Sequence, residues 1–254
     1  MNKNNRSAST TPLLILLVLL FAVGFGAGWL GASIYHGAGG QASSANSTPP
    51  ADTVPPSDEP LHTPPDRDSW NLILVNYETP LPEGFTVLAL TEVRSGQYVD
   101  NRAYPALRQM LDDARAEGLE PLVCSSYRDW DTQTRLFEAE VQNWLNKGYS
   151  REDAEAQAAV WVARPGTSEH QTGLTVDIVD ISYQLLDEGQ EKTPVQQWLM
   201  THCAEYGFIL RYPTDKSDIT GIGYEPWHYR YVGVEAAQEI MERGLCLEEY
   251  LLLG

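Results

Sequence analysis

Apolar and polar positions follow three successive patterns along this chain. From Pro12 to Tyr35 the run PLLILLVLLFAVGFGAGWLGASIY carries no charge. As a helix it is long enough to cross roughly 30 Å of hydrocarbon. It exceeds the apolar core of a cleaved leader and has no convincing small-residue cleavage site after it, so a retained anchor over residues 1–36 is expected. Lys3 and Arg6 precede the run and acidic sequence follows it, which places the amino terminus in the cytoplasm and the bulk of the chain outside. Residues 37–68 are rich in Gly, Ala, Ser, Pro and Asp with almost nothing large to bury. Such composition predicts a disordered linker with stiffer proline-rich parts.

From Trp70 the pattern becomes that of a folded domain over 69–254. Leu72 to Asn76 reads as a short strand, and Tyr104, Leu107, Leu111 and Ala114 share one helical face that ends at Gly118. Leu122 to Ser126 reads as a strand. Trp130, Phe137, Val141, Trp144 and Leu145 line the inner side of the next helix, closed by Gly148, and Ser150 with Asp153 opens another. Thr193, Pro194 and Gln196 start a further helix that turns Val195, Trp198, Leu199, Cys203 and Tyr206 inward. Strands and helices do not alternate strictly. The fold class expected is therefore α+β, a mostly antiparallel central sheet with flanking helices, preceded by one N-terminal transmembrane helix.

Composition narrows the function. The 254 residues are 43 % hydrophobic, enough for one catalytic domain, expected to be monomeric. Thirty-five acidic against 17 basic side chains give a formal charge of −18. A sequence-independent grip on nucleic acid phosphates is excluded on that balance. Three cysteines cannot form a complete disulfide framework. Cys124 lies in an apolar strand and reads as buried, while Cys203 with Cys246 is the pair open to a bridge.

Two short stretches carry candidate chemistry. In SEHQTGLTVD, residues 168–177, Gly173 and the β-branched Thr175, Val176, Ile178 and Val179 predict a turn into a strand, with His170 on the entering loop and Asp177 in the strand. In YEPWHY, residues 224–229, Pro226 forbids a helix interior and bends the backbone, bringing Glu225 and His228 toward one site. A catalytic zinc takes three imidazole or carboxylate ligands and keeps a fourth place for water. His170, Asp177 and His228 supply that number, and Glu225 stands ready as proton acceptor. Taken singly, either histidine reads first as an ordinary, partly buried imidazole hydrogen-bonded to backbone. The census matters more: of five histidines, His36 and His62 fall in the anchor end and the linker, and His202 lies between Trp198 and Tyr206 on an apolar face, as a core or boundary residue.

These segments resemble the Ser-x-His-x-x-Gly-x-x-x-Asp and Glu-x-x-His motifs of VanY-type metallo-D-alanyl-D-alanine carboxypeptidases, peptidase family M15B. The resemblance runs from about Trp70 to Leu252 and includes SSYRDWDTQ and YGFILRYP. It implies Zn²⁺ held by His170, Asp177 and His228, Glu225 as general base and acid, and substrate-binding roles for Arg128, Gln133, Ser168 and Tyr212. Arg128 makes physical sense, since a guanidinium holds a terminal carboxylate with two parallel hydrogen bonds. Thr175 departs from the alanine usual in the family, at a position that is not a ligand. The implied activity is removal of the C-terminal D-alanine from peptidoglycan stem peptides. The alternatives are L,D-cleavage of tetrapeptide stems, a non-catalytic wall-peptide binding module, and a membrane-tethered sensor. A serine mechanism is not supported: the residues three before Lys147, Lys192 and Lys216 are Trp144, Gly189 and Pro213.

Overall fold

A computed structural model of the chain describes residues 65–94 and 96–253. The anchor expected over 1–36 and all but the end of the linker lie outside these residues. Among the described residues no helix is long and apolar enough to cross a membrane.

Four strands form the central sheet: β3 (Pro121–Ser125), β4 (Thr175–Asp180), β5 (Phe208–Leu210) and β6 (His228–Tyr231). Their order is β3-β4-β6-β5 and every neighbouring pair is antiparallel, as the sequence pattern led us to expect. A separate hairpin, β1 (Leu90–Arg94) and β2 (Gln97–Asp100), precedes them. Side chains alternate between faces along each strand. Val176, Ile178, Phe208 and Tyr229 thus enter one apolar cluster with Leu107, Met110, Leu111 and Ala114 of α1 (Tyr104–Ala116) and Val195, Trp198 and Leu199 of α4 (Pro194–His202). Burying a side chain such as Leu107 contributes about 1.5–3 kcal/mol.

Local chemistry sets the helix starts. Asp129 accepts from the Thr132 N–H at 2.7 Å to open α2 (Trp130–Asn146), and Ser150 accepts from the Asp153 N–H at 3.1 Å to open α3 (Arg151–Ala159). Thr193 does the same for Gln196 ahead of Pro194. Each such cap stabilises by about 1 kcal/mol. Phe137, Val141 and Trp144 pack with Ala154 and Ala158 between α2 and α3. Trp130 does not join them: it occupies the first turn of α2, is 51 % exposed, and lays its ring against Gly166. A short α5 (Ser217–Thr220) follows β5, and α6 (Val234–Arg243) with α7 (Leu247–Leu251) closes the domain over Leu72, Ile209 and Val232.

Besides Trp130, one expectation is corrected and one open pairing is resolved. Leu72–Asn76 is not a strand. Leu72 and Val75 are buried, but the carbonyls of Asn71 and Ile73 accept from the Arg230 guanidinium, so a side chain takes the place of a ladder. Cys203 and Cys246 are free thiols, as is the half-buried Cys124. Cys203 packs in the cluster under the sheet, whereas Cys246 caps α7 through Glu249, so the two serve different elements.

Candidate metal centre

The sheet register builds most of the site. A register shift between Val123 and Ser125 in β3 sets Ser125 opposite Asp177, and Asp177 is in turn opposite His228. Ser125, Asp177 and His228 therefore form one row across three strands, on the face opposite Val176 and Tyr229. His170 arrives from a 3-10 turn, Glu169–Thr172, tighter than the open loop expected. Gly173 ends that turn at φ 72, where a Cβ would stand 3.0 Å from the Asp100 backbone nitrogen. Only glycine suits both the left-handed backbone and the close approach. Pro226 stays in the turn before β6, and the His228 N–H donates to the Glu225 carbonyl at 3.1 Å.

His170, Asp177, His228 and Glu225 are all buried and converge. One donor atom from each of the first three lies within 4.8 Å of the others. His170 Nδ1 meets the Ser126 carbonyl at 2.8 Å and so carries the proton, leaving Nε2, 3.4 Å from Asp177 Oδ2, as the lone-pair nitrogen. His228 Nδ1 lies 3.3 Å from Asp177 Oδ1 and 3.2 Å from Glu225 Oε2. The two rings stand nearly perpendicular, 83° apart, with centroids at 5.1 Å. Asp177 Oδ1 is buried with no hydrogen-bond donor. An orphaned carboxylate oxygen is costly, and a cation between it and the two imidazoles answers it. Two nitrogens and one carboxylate oxygen, with a further acid beside them, fit a catalytic zinc set and not a closed structural one.

The charges in the site are strongly coupled. Burial, with help from Arg128, lowers the His170 pKa to about 4. Burial also opposes a charge on His228, but the surrounding carboxylates of Asp177, Glu169 and Glu225 push its pKa up to about 10. Asp177 is held well below the usual carboxylate range: burial opposes this, and His170 and His228 outweigh it. Burial raises Glu225. A metal held by His228 would require its coordinating nitrogen to be free of a proton.

Arg128 forms the wall beside the ligands. Its side chain is 18 % exposed; Nη2 donates to Asp177 Oδ2 at 3.1 Å and to Ser125 Oγ at 2.8 Å, and Nη1 to Gln133 Oε1 at 3.2 Å. Gln133 is fixed from its other end by donating to the Ala163 carbonyl at 2.7 Å. Both ends of that amide are thus engaged within the protein, and it orients Arg128. Tyr212 lies 4.6 Å from the His228 ring and Ser168 is buried just ahead of the 3-10 turn. His202 stays outside, against Trp198 and 2.7 Å from Glu205, a boundary residue as read from sequence. Sequence reasoning missed Ser125, Glu169, Arg211 and Arg230. A cavity of about 670 Å³ lined by Trp70, Phe85, Leu88 and Leu252 contains none of the candidate ligands.

The family model described as VanY, D-alanyl-D-alanine carboxypeptidase, matches residues 96–234. A D-alanyl-D-alanine carboxypeptidase of Enterococcus faecalis is 46 % identical over 186 residues, 73 % of this chain and 67 % of that protein. The crystal structure of the vancomycin resistance D,D-pentapeptidase VanY in complex with Zn(II) is similar with a TM-score of 0.66 at 46 % identity, covering 72 % of this chain and 99 % of that one. VanYB in complex with D-alanine-D-alanine matches with a TM-score of 0.67 at 46 % identity, over 73 % of this chain and 99 % of the other. The match spans both candidate motifs and more than half of the residues, and the chain belongs to the VanY family of D-alanyl-D-alanine carboxypeptidases.

Proposed function

We propose that this chain is a zinc-dependent D-alanyl-D-alanine carboxypeptidase that removes the C-terminal D-alanine of peptidoglycan stem peptides. The observation that carries the reading is the convergence of His170, Asp177 and His228 with Glu225 beside them. Relatives that hold Zn(II) and D-alanine-D-alanine support it.

Zinc, when bound by those three side chains, supplies a Lewis acid toward the scissile carbonyl and lowers the pKa of water toward about 7. Glu225 accepts a proton from the attacking water and delivers it to the departing D-alanine nitrogen, as the C–N bond breaks and the new C–O bond forms. Its raised pKa, due first to burial, suits a group that must take a proton and give it up. Arg128, oriented by Gln133 and Ser125, holds the substrate's terminal carboxylate. Ser168 and Tyr212 flank the peptide. The same reading places residues 1–36 in the cell membrane as a single-pass anchor, 37–68 as a linker and 69–254 outside the cell as a monomeric catalytic domain. Its support is the hydropathy and charge order of the first 68 residues.

The test is incubation of the full chain with pentapeptide and tetrapeptide stems. D-Alanine should leave the pentapeptide, stop on chelation and resume with zinc. Release from the tetrapeptide alone makes the enzyme an L,D-carboxypeptidase. Tight binding without release makes it a wall-peptide binding module or sensor. Penicillin should not inhibit, and acylation by a labelled β-lactam would contradict the metal mechanism.

A further inference from the structure

Glu169 adjoins the candidate ligand His170, is 1 % exposed, and has no part in the chemistry above. Its Oε1 accepts from Arg211 Nε at 2.9 Å and from Arg230 Nη1 at 2.8 Å. Its Oε2 meets the Thr175 hydroxyl at 3.5 Å and lies 3.6 Å from His228 Nε2, a buried nitrogen that makes no hydrogen bond among the described residues. Both arginines are fully buried. Glu248 grips the far edge of Arg211 with two bonds, 2.8 and 2.6 Å, and takes a third from Asn76 at 3.0 Å. Arg230 is held in turn by the Asn71 and Ile73 carbonyls. Two positive and two negative groups thus balance one another in a buried cluster. Desolvating each ion opposes folding, and apolar residues of the same volume often stabilise a fold as well or better. Stability alone does not account for such a cluster behind a ligand.

We propose that Glu169 is a positioning residue for the metal centre: it accepts the Nε2–H of His228 and fixes the tautomer whose Nδ1 lone pair faces Asp177 and Glu225. The inference rests on the zinc reading of the site. Oε1 is committed to two guanidiniums, whereas Oε2 has only a long contact with the Thr175 hydroxyl, and it is the carboxylate oxygen nearest the unpartnered His228 Nε2. His170 has the matching arrangement, its outer nitrogen on the Ser126 carbonyl. Each candidate imidazole ligand is then oriented from behind, one by a carbonyl and the other by a carboxylate, which also raises ligand basicity.

Long-range proton–nitrogen spectra of the zinc-loaded wild-type chain test the tautomer directly. Nε2 of His228 should carry the proton; a metal-bound Nε2 overturns the proposal. Zinc affinity, measured against a chromophoric chelator, should fall about 10–100-fold in Glu169→Gln. Glu248→Gln disturbs the same arginine without touching His228 and should stay close to wild type. Equal weakening in both variants would mean general loosening and would also overturn it. Should Glu169→Gln fail to fold, the charge-balanced pair Glu169→Gln with Arg230→Met should show the same weakening. A wild-type chain that binds no zinc defeats the metal reading itself, whereas unchanged affinity in Glu169→Gln defeats only the positioning role.

Discussion

The two faces of the central sheet are made by the same strands, and both are buried, but they meet opposite demands. On one, Val176, Ile178, Phe208 and Tyr229 pack against α1 and α4. On the other, Asp177, His228 and Arg230 stand in consecutive rows with Glu169 and Arg211 behind them. The first face stabilises by removing apolar area from water. The second carries charges whose burial must be offset by partners. Stability and chemistry are thus separated by the two-residue period of a strand, and a one-residue slip in β4 would exchange them.

The sharpest way to break the pairing of roles is Glu225→Gln. Turnover should drop about 10²–10⁴-fold, while zinc content and thermal midpoint stay as in wild type; near-normal rates would show that another group moves the proton. On the opposite face, Leu107→Ala should cost about 2–5 kcal/mol in denaturant titrations and leave the kcat of folded enzyme nearly unchanged. Loss of kcat in proportion to stability would mean that the faces are not separable.

Acidification of the zinc-free chain sharpens the contrast further. The His170 pKa is lowered from 6.5 to about 4, so its share of stability is complete above pH 6.5 and is lost as pH falls toward 4. Glu169 is held below its ordinary value, since Arg211 and Arg230 outweigh burial, and its share is lost as pH falls through and below the ordinary carboxylate range. The His228 pKa is raised to about 10, so its share is complete below pH 6.5 and does not alter this window. Denaturant midpoints should therefore decline from about pH 6.5 downward. Midpoints flat to about pH 4 would show that the polar face does not carry these charges.

Helices α1 to α4 were legible because their signals are local: apolar spacing of three and four, and caps at Ser150 and Thr193. The sheet's antiparallel character was legible too, as was the gathering of His170, Asp177 and His228, because zinc chemistry restricts which donor types are worth seeking together. Trp130 was misplaced because periodicity cannot tell the first turn of a helix from its interior. Leu72–Asn76 was misread because its partner, Arg230, lies 157 to 159 residues away. Glu169 escaped for the same reason: its ion pairs span 42 and 61 residues. Short-range pattern reports which residues are apolar or donor-rich. It does not report which distant charges meet.

The row Ser125–Asp177–His228 joins three strands drawn from well-separated parts of the chain, and neither of its candidate metal donors has the other as a sequence neighbour. No partially collapsed chain that lacks β4–β6 pairing presents both donors together. An ion bound by these side chains would stabilise the assembled sheet over chains lacking that pairing, so that metal occupancy would double as a gauge of completed folding.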